Sequence, residues 1–520
     1  MQIKHHIALP ILLTVGFVAR AISPVYFPNI AHPDEVYQTV EQAFRLLTGH
    51  GFLTWEYFYG IRSPIFPAFL AFIIKASWSL GFDSVKTFIA LRVTMAALSL
   101  LIIVCAYAWG RRSALPGAGL LSGGLVAVWP DLVFYSSHPL SDVIGAVVLL
   151  PGICLAETPG GVQPRAARIF GAALLLSAAS ILRFQFAPTA VLIWVLLVWP
   201  AWRTRALPAV LGGVIPLLIG MIADWITLGR PFQSVWLNFL VNWTYGASAV
   251  FGTAPWYAYF GKLAVMWGGA LPFVAGAALL GVARGRLIAI AAVSLLITFV
   301  IVPHKEYRFL YPLIPLVLTL AGIGSARIIQ VMRTQWVGAK DCDRILATNT
   351  MIGIGLLTWL ISAGGLYLSQ EFLYIFRKNV GIVAASFDIA RTPDVCGIAI
   401  WGIRWYDLAG EFSFGHPIPV FYPQSEEEFK TREGSFNAVL YNKAYSLPKG
   451  VWEVQGCHPI DAELPAVFTI APDNGDVCVA IRKARCDRGA PLMPPLAIPK
   501  VLIDNHFPWL THPLPQGRAP

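Results

Sequence analysis

Charge is what this 520-residue chain has least of: Asp, Glu, Lys and Arg make up 13% of it, against 57% hydrophobic residues. Soluble domains carry about 25% charged residues, so the shortage excludes an ordinary soluble globular protein. The apolar excess excludes a disordered chain. Acids are the scarcer sign, 28 against 38 bases, which leaves a net charge of +10. In a soluble protein that excess would raise the question of nucleic acid; here it is expected in short cytoplasmic loops, with no nucleic-acid partner. A glycine-rich phosphate loop of the P-loop or Rossmann type in a soluble context is also missing. Its absence argues against a nucleotide-driven pump and against a nucleotide-sugar transferase with a cytosolic domain. What is plentiful is aromatic, with 18 Trp, 17 Tyr and 31 Phe, as expected where rings anchor at lipid–water boundaries. The composition is that of an α-helical polytopic membrane protein.

Apolar runs at 7–24, 87–109, 116–130, 140–156, 169–182, 186–201, 208–228, 262–282, 286–302, 309–326 and 347–368 predict eleven transmembrane helices. A twelfth run, 64–80, is settled by parity. With a cytoplasmic N-terminus and 64–80 lying in the interface, Arg111-Arg112, Arg165 with Arg168, Arg203 with Arg205, Arg284 with Arg286, and the linker Arg327–Arg344 all face inward, as the positive-inside rule asks. Counting 64–80 as a crossing puts all five outside. It therefore reads as an interfacial or re-entrant helix, and the first span as retained, since no small-residue cleavage site follows it. The same parity puts loop 24–63, Asp131–Asp142, Arg183–Gln185, loop 229–261, Pro303–Phe309 and the C-terminal region on the opposite face.

Charge density doubles near residue 370: Arg377–Pro520 holds 29 of the charged residues and the preceding 376 hold 37. The predicted organisation is a transmembrane catalytic domain over 1–369, a small soluble α/β or mainly β domain over 370–488, and a Pro-rich extended tail over 489–520. Cys396–Trp401 and Val477–Ile481 read as short strands. Four of seven cysteines, Cys396, Cys457, Cys478 and Cys486, lie in this domain. An oxidising compartment would allow three pairings. Cys105 and Cys154 read as core residues.

The chemistry concentrates in three places. Loop one reads His32-Pro33-Asp34-Glu35, adjacent acids that could supply a general base and that also form an ordinary helix start. Trp55-Glu56 and Arg62 follow; an indole beside a carboxylate suits a sugar, its ring covering the C–H face while the acid accepts from hydroxyls. Loop two offers Asp131, His138 and Asp142, which read as solvated loop residues or as an acceptor hydroxyl site, with a weak metal signal. The run His304-Lys305-Glu306-Tyr307-Arg308-Phe309 sets three cationic groups at an external boundary, where an anion such as a lipid phosphate would compensate them. Arg183 and Gln185 join them from another external turn.

These residues resemble glycosyltransferase family 22, the polytopic mannosyltransferases of the GT-C fold that build GPI anchors and lipid-linked oligosaccharides. The resemblance rests on His32-Pro33-Asp34-Glu35 with Glu41, Thr54-Trp55-Glu56, Arg62-Ser63 and Pro67, then His304-Lys305-Glu306, Arg308-Phe309 and Pro312, and covers roughly 7–330. Order and spacing are most similar to the branch that adds the third GPI mannose. Ser136–Asp142 departs from the pattern expected in loop two, which leaves the acceptor open. The resemblance implies a GT-C fold of about eleven transmembrane helices plus interfacial helices. It also implies a polyprenyl-phosphate-mannose donor, a lipid-linked glycan or glycolipid acceptor, and inversion at the anomeric carbon. Asp34 would act as the base, a position that the resemblance favours over Glu35 although the residues alone do not separate the two; His304, Lys305, Arg308 and Arg183 would bind the donor phosphate. His32, Trp55, Glu56, Arg62, Gln185 and Asp142 would line the sugar or acceptor site. No cofactor or metal is expected, because a monophosphate leaving group can be carried by side-chain cations. Another GT-C enzyme with a different lipid-linked sugar, or a flippase for such lipids, are the alternatives. A bacterial inner membrane with its catalytic face outside fits best, with the endoplasmic reticulum as the other reading.

Overall fold

The computed structural model describes residues 5–157, 163–334, 341–447, 452–462, 475–487 and 496–497. It divides into two compact units: Met1–Ala21, Met95–Ser137 and Ser141–Phe372 form the first, and Ile22–Thr94, His138–Leu140 and Leu373–Pro520 the second. The division does not follow chain order. The first loop and three residues of the second group with the C-terminal region.

The first unit is helical. Among the described residues, five helical stretches are long and apolar enough to cross a membrane, and two bent pairs pass the same test together. Each of the eleven runs marked in the sequence falls on a helix. The stretch Phe184–Leu228 accounts for two of them: its 45 residues exceed the ~20 that one crossing takes, and a 3-10 turn at Trp199–Ala201 interrupts it. Ser141–Ala156, Ala166–Leu182 and Arg286–Ile301 are shorter apolar helices. Helices Ala270–Gly281 and Leu313–Thr334 meet backbone to backbone. A Cβ at Gly281 would lie 2.1 Å from the Leu320 carbonyl, and one at Gly324 1.8 Å from that of Ala277, so only glycine permits the crossing.

Two breaks shape this unit. Ala118–Val128 and Pro130–Ser136 meet at 56°, and Ala258–Trp267 and Ala270–Gly281 at 114°. Pro130 at the first position of its helix cannot donate to the preceding turn, which leaves carbonyls exposed in an apolar setting, at a cost of several kcal/mol apiece if unmet. Buried Arg20 meets them, donating to the Ala127 carbonyl at 2.7 Å and the Val126 carbonyl at 2.8 Å, while the Tyr367 hydroxyl donates to that of Val128 at 3.1 Å.

The second unit holds helix Ile65–Ser79, the run anticipated as interfacial, and a five-stranded sheet. The strands are β2 (Ile398–Trp401), β3 (Val420–Phe421), β4 (Ala438–Asn442), β5 (Glu453–Pro459) and β6 (Asp476–Ile481), following β1 (Leu53–Thr54). Their order is β3-β2-β4-β6-β5, with β2 parallel to β3 and β4, and β6 antiparallel to β4 and β5. Alternation splits the strands: Ile398, Ile400, Leu440, Val477 and Val479 face helix Val380–Arg391 through Ile382 and Ile389. Ala399, Val439, Cys478 and Ala480 pack with Phe429 and Phe436 on the other side. Two of the possible disulfides form, Cys396–Cys486 and Cys457–Cys478; Cys105 and Cys154 are buried and free. Of the anticipated tail, Leu496–Ala497 forms β7, parallel to β1; the rest lies outside the described residues.

Candidate active site: an acidic turn and a buried cation set

His32 caps the helix that begins at Pro33: its Nδ1 accepts from the Asp34 N–H at 3.1 Å and lies 3.5 Å from the Asp34 carboxylate. The helix widens into a π-turn over Val36–Val40 and resumes at Glu41–Thr48. Such π-insertions recur at functional sites.

The adjacent acids have opposite environments. Glu35 is 1% exposed. One carboxylate oxygen sits 2.6 Å from His138 Nδ1; the other is 3.4 Å from Arg92 and accepts from the Ala31 N–H at 2.7 Å. Burial acts to raise the Glu35 pKa, but Arg92 and His138 outweigh it, so the carboxyl lies below its ordinary value. Burial and then Arg92 drive His138 down to about 4. At neutral pH the ion pair is therefore Glu35 with Arg92, and the imidazole is an uncharged hydrogen-bonding partner. The Asp34 side chain retains 24% of its exposure.

Glu56 and Arg62 complete this set. Glu56 is buried and accepts from the Gln38 carboxamide at 2.8 Å. Tyr57 donates to the Gln38 carbonyl at 2.9 Å. Burial pushes the Glu56 carboxyl up, with Arg62 opposing and Asp34 adding to the rise. Trp55 is buried as well. The turn thus gathers a partly exposed carboxylate, a second carboxyl of raised pKa and an amide, groups able to take a proton and hydrogen-bond hydroxyls.

The cations lie in the first unit. Arg183, Lys305 and Arg308 are 5%, 7% and 5% exposed, which rules out simple headgroup snorkelling. Arg183 is 2.9 Å and Arg308 3.5 Å from the Asp142 carboxylate; Arg308 Nε donates to Glu306 at 2.5 Å. His304 Nε2 is 2.8 Å from Glu306, and that bond raises its pKa. Lys305 donates to the Val302 carbonyl at 2.6 Å, and burial lowers its pKa. Arg183 and Arg308 share the Asp142 carboxylate, and Arg308 and His304 share that of Glu306, so cations and carboxylates interleave in this set. Beside it runs a groove of about 920 Å³ lined by apolar side chains, including Phe184, Val191, Phe239, Trp243 and Ile297, with Gln185 and Val302 also on its wall.

Asp131 explains how this loop is held. It is fully buried at the first break and accepts from Trp267 Nε1 at 2.8 Å, at the second break, and from the Tyr307 hydroxyl. The reading of loop two as solvated is corrected: Asp131, His138 and Asp142 are all 0% exposed, because each carries an internal polar partner that repays desolvation. Asp142 belongs with the cations, not with the acidic turn. Sequence reasoning gave no role to Arg92, Gln38, Tyr307 or Glu41. Arg92 had a signal, a lone cation inside an apolar run; the others depend on tertiary partners. Among the described residues, no group of three His, Cys, Asp or Glu could hold a metal ion.

The pattern of the Alg9-like mannosyltransferase family matches residues 11–384, well over half the chain. The chain belongs to that family. Human GPI alpha-1,2-mannosyltransferase 3 is 26% identical over 314 residues, which are 56% of this chain and 53% of the human protein. GPI mannosyltransferase 3 of Yarrowia lipolytica is 28% identical, over 59% of this chain and 60% of the relative; that of Drosophila melanogaster is 30% identical, over 55% and 51%. The chain thus spans little more than half the length of these relatives. In fold it is similar to the crystal structure of ArnT from Cupriavidus metallidurans bound to undecaprenyl phosphate. The TM-score is 0.55 at 14% identity, over 92% of this chain and 98% of that one. The architecture is GT-C, as the resemblance implied.

Proposed function

We propose that the protein is an inverting mannosyltransferase that moves mannose from a polyprenyl-phosphate-mannose donor to a lipid-linked glycan or glycolipid acceptor. The observation that carries this reading is the buried cation set beside an apolar groove. A polyprenyl phosphate has the matching parts, a phosphate for Arg183, Lys305 and Arg308 and a hydrocarbon chain for the wall of Phe239, Trp243 and Ile297. Family membership supports mannose as the sugar. The ArnT structure, bound to undecaprenyl phosphate, is a precedent for such a lipid on this fold.

In this mechanism Asp34 takes the proton from the acceptor hydroxyl as its oxygen bonds to the anomeric carbon and the bond from that carbon to the phosphate oxygen breaks. The electron pair leaves with the phosphate. Arg183, Lys305 and Arg308 stabilise the charge gathering there, without a divalent ion. Glu35, already committed to Arg92 and His138, is a poor base; its work is to hold the turn. Glu56, with Gln38 and Arg62, orients sugar hydroxyls.

The acidic turn and the C-terminal domain are assigned to the extracytoplasmic face. Two disulfides support that assignment, since such bonds persist in oxidising compartments. In sealed membrane vesicles of known orientation, a cysteine introduced at exposed Glu427 should react with a membrane-impermeant maleimide supplied on the extracytoplasmic side; labelling only from the cytoplasmic side contradicts the assignment. For the activity, purified protein in lipid nanodiscs should transfer mannose from synthetic polyprenyl-phosphate mannose to a member of a glycolipid panel, read by product mass. Arg308→Ala and Arg183→Ala should each raise donor KM at least tenfold. Unchanged donor KM in both rejects the phosphate assignment.

A further inference from the structure

The helix carrying Asp34 in its first turn carries Glu41 about two turns on, and Glu41 is the more completely buried, at 0% exposure. Its carboxylate receives three backbone N–H groups: Phe52 at 2.9 Å, Glu411 at 3.3 Å and Phe412 at 3.3 Å. Gly51 and Gly410 flank it with φ of 115° and 79°. A Cβ on either would stand 2.7 Å or 2.5 Å from a carboxylate oxygen. Backbone N–H groups converging where glycines take positive φ make an anion nest. This one is assembled from two distant stretches of chain and filled from the acid-bearing helix. Ring contacts follow the same seam: Tyr37 with Trp405 at 5.0 Å and Phe44 with Phe412 at 6.2 Å.

We infer that Glu41 is a positioning residue for the transfer reaction: by filling a nest built partly from the Gly410–Phe412 turn, it makes the C-terminal domain the support that fixes Asp34. The inference rests on Asp34 being the base. It assigns the domain a task that the family match over residues 11–384 does not reach.

The nest is also proton-sensitive. Burial pushes the Glu41 carboxyl up to about 7. Burial, with Glu41 adding, pushes that of Glu411 to about 9. Arg45 is the cation facing both, and Tyr37 and Tyr422 are the phenols that feel them. With the nest open both acids would return towards 4.5, so the closed nest binds more protons. Closure is at full strength below that value and weakens as pH rises through about 7 and on to about 9.

The test uses the full chain in nanodiscs, with turnover at saturating polyprenyl-phosphate mannose and amide hydrogen exchange, corrected for intrinsic rates, over 33–52 and 408–414. Glu41→Ala and Gly410→Ala should each lower kcat at least tenfold with donor KM within twofold, and speed exchange at Asp34–Gln38 and at Phe52 and Phe412 at least tenfold. Glu411→Gln should move the alkaline fall in kcat to higher pH by about a unit or more. If Glu41→Ala does not fold, Gly410→Ala and the Glu411→Gln pH profile still decide. Turnover within twofold of wild type for Gly410→Ala, or an alkaline limb unmoved in Glu411→Gln, overturns the inference. An active Asp34→Asn alongside faster exchange in Glu41→Ala would instead remove Asp34 as base and leave the nest standing.

Discussion

Asp34 and Glu35 are neighbours that the sequence could not rank, and burial ranks them. Glu35 is enclosed by Arg92, His138 and the Ala31 N–H, whereas Asp34 keeps part of its surface open. The two should therefore fail differently. Asp34→Asn should lower turnover by about 10²–10⁴-fold, the range for a lost general base, with melting temperature unchanged; turnover above a tenth of wild type contradicts the role. Glu35→Ala leaves Arg92 buried without its carboxylate and should cost about 3–5 kcal/mol of stability, read as a lower melting temperature in detergent. An unchanged melting temperature would show that Arg92 finds another partner. What the sequence made legible was the kind of group and the stretch that carries it. What it hid was Arg92, 57 positions from Glu35, and His138, 103 positions away. Only those partners show that the Glu35 carboxylate is enclosed while that of Asp34 stays partly exposed.

Helices were the most legible elements, because a long apolar run admits few other outcomes. Their breaks were not. Runs 116–130 and 262–282 read as single spans, yet each bends within a few residues, at Trp129-Pro130 and at Gly268-Gly269. Both breaks become intelligible through Asp131, which takes Trp267 from one and Tyr307 from the His304–Phe309 run. Asp131→Asn should loosen the loop that presents Lys305 and Arg308. With a charged hydrogen bond worth about 1.5–3 kcal/mol, donor KM should rise about 10- to 100-fold with a smaller change in kcat. Equal losses in Asp131→Asn and in Trp267→Phe of kcat with donor KM unchanged would place the network outside donor binding. Asp224, an acid in the apolar helix Trp202–Leu228, accepts from the Ser234 N–H and hydroxyl at 2.8 and 2.7 Å. It ties one helix to the next segment, an ordinary structural employment for an acid in an apolar helix.

Across the chain, charge density marked a change of character near residue 370, and the compact units cut differently, drawing the first loop and residues 138–140 in with the C-terminal region. Composition reports solvent exposure, not which segments pack together; Glu41 in its nest and the Tyr37–Trp405 contact have no compositional trace. The disulfides belong to the same assembly. Cys396–Cys486 closes a loop 90 residues long, so Cys396→Ser should cost about 2–5 kcal/mol. Because that loop includes Gly410–Phe412, kcat should fall while donor binding persists. Donor binding lost in parallel would mean that the whole protein, not its acidic half, depends on the bond. In the proposed reaction an acid takes a proton while cations grip a phosphate, and one paired measurement separates the two tasks. With polyprenyl-phosphate mannose titrated into nanodisc-embedded protein, Asp34→Asn should bind donor within twofold of wild type and form no detectable product. Product formed at more than a tenth of the wild-type rate, or donor binding lost with the acid, would contradict it.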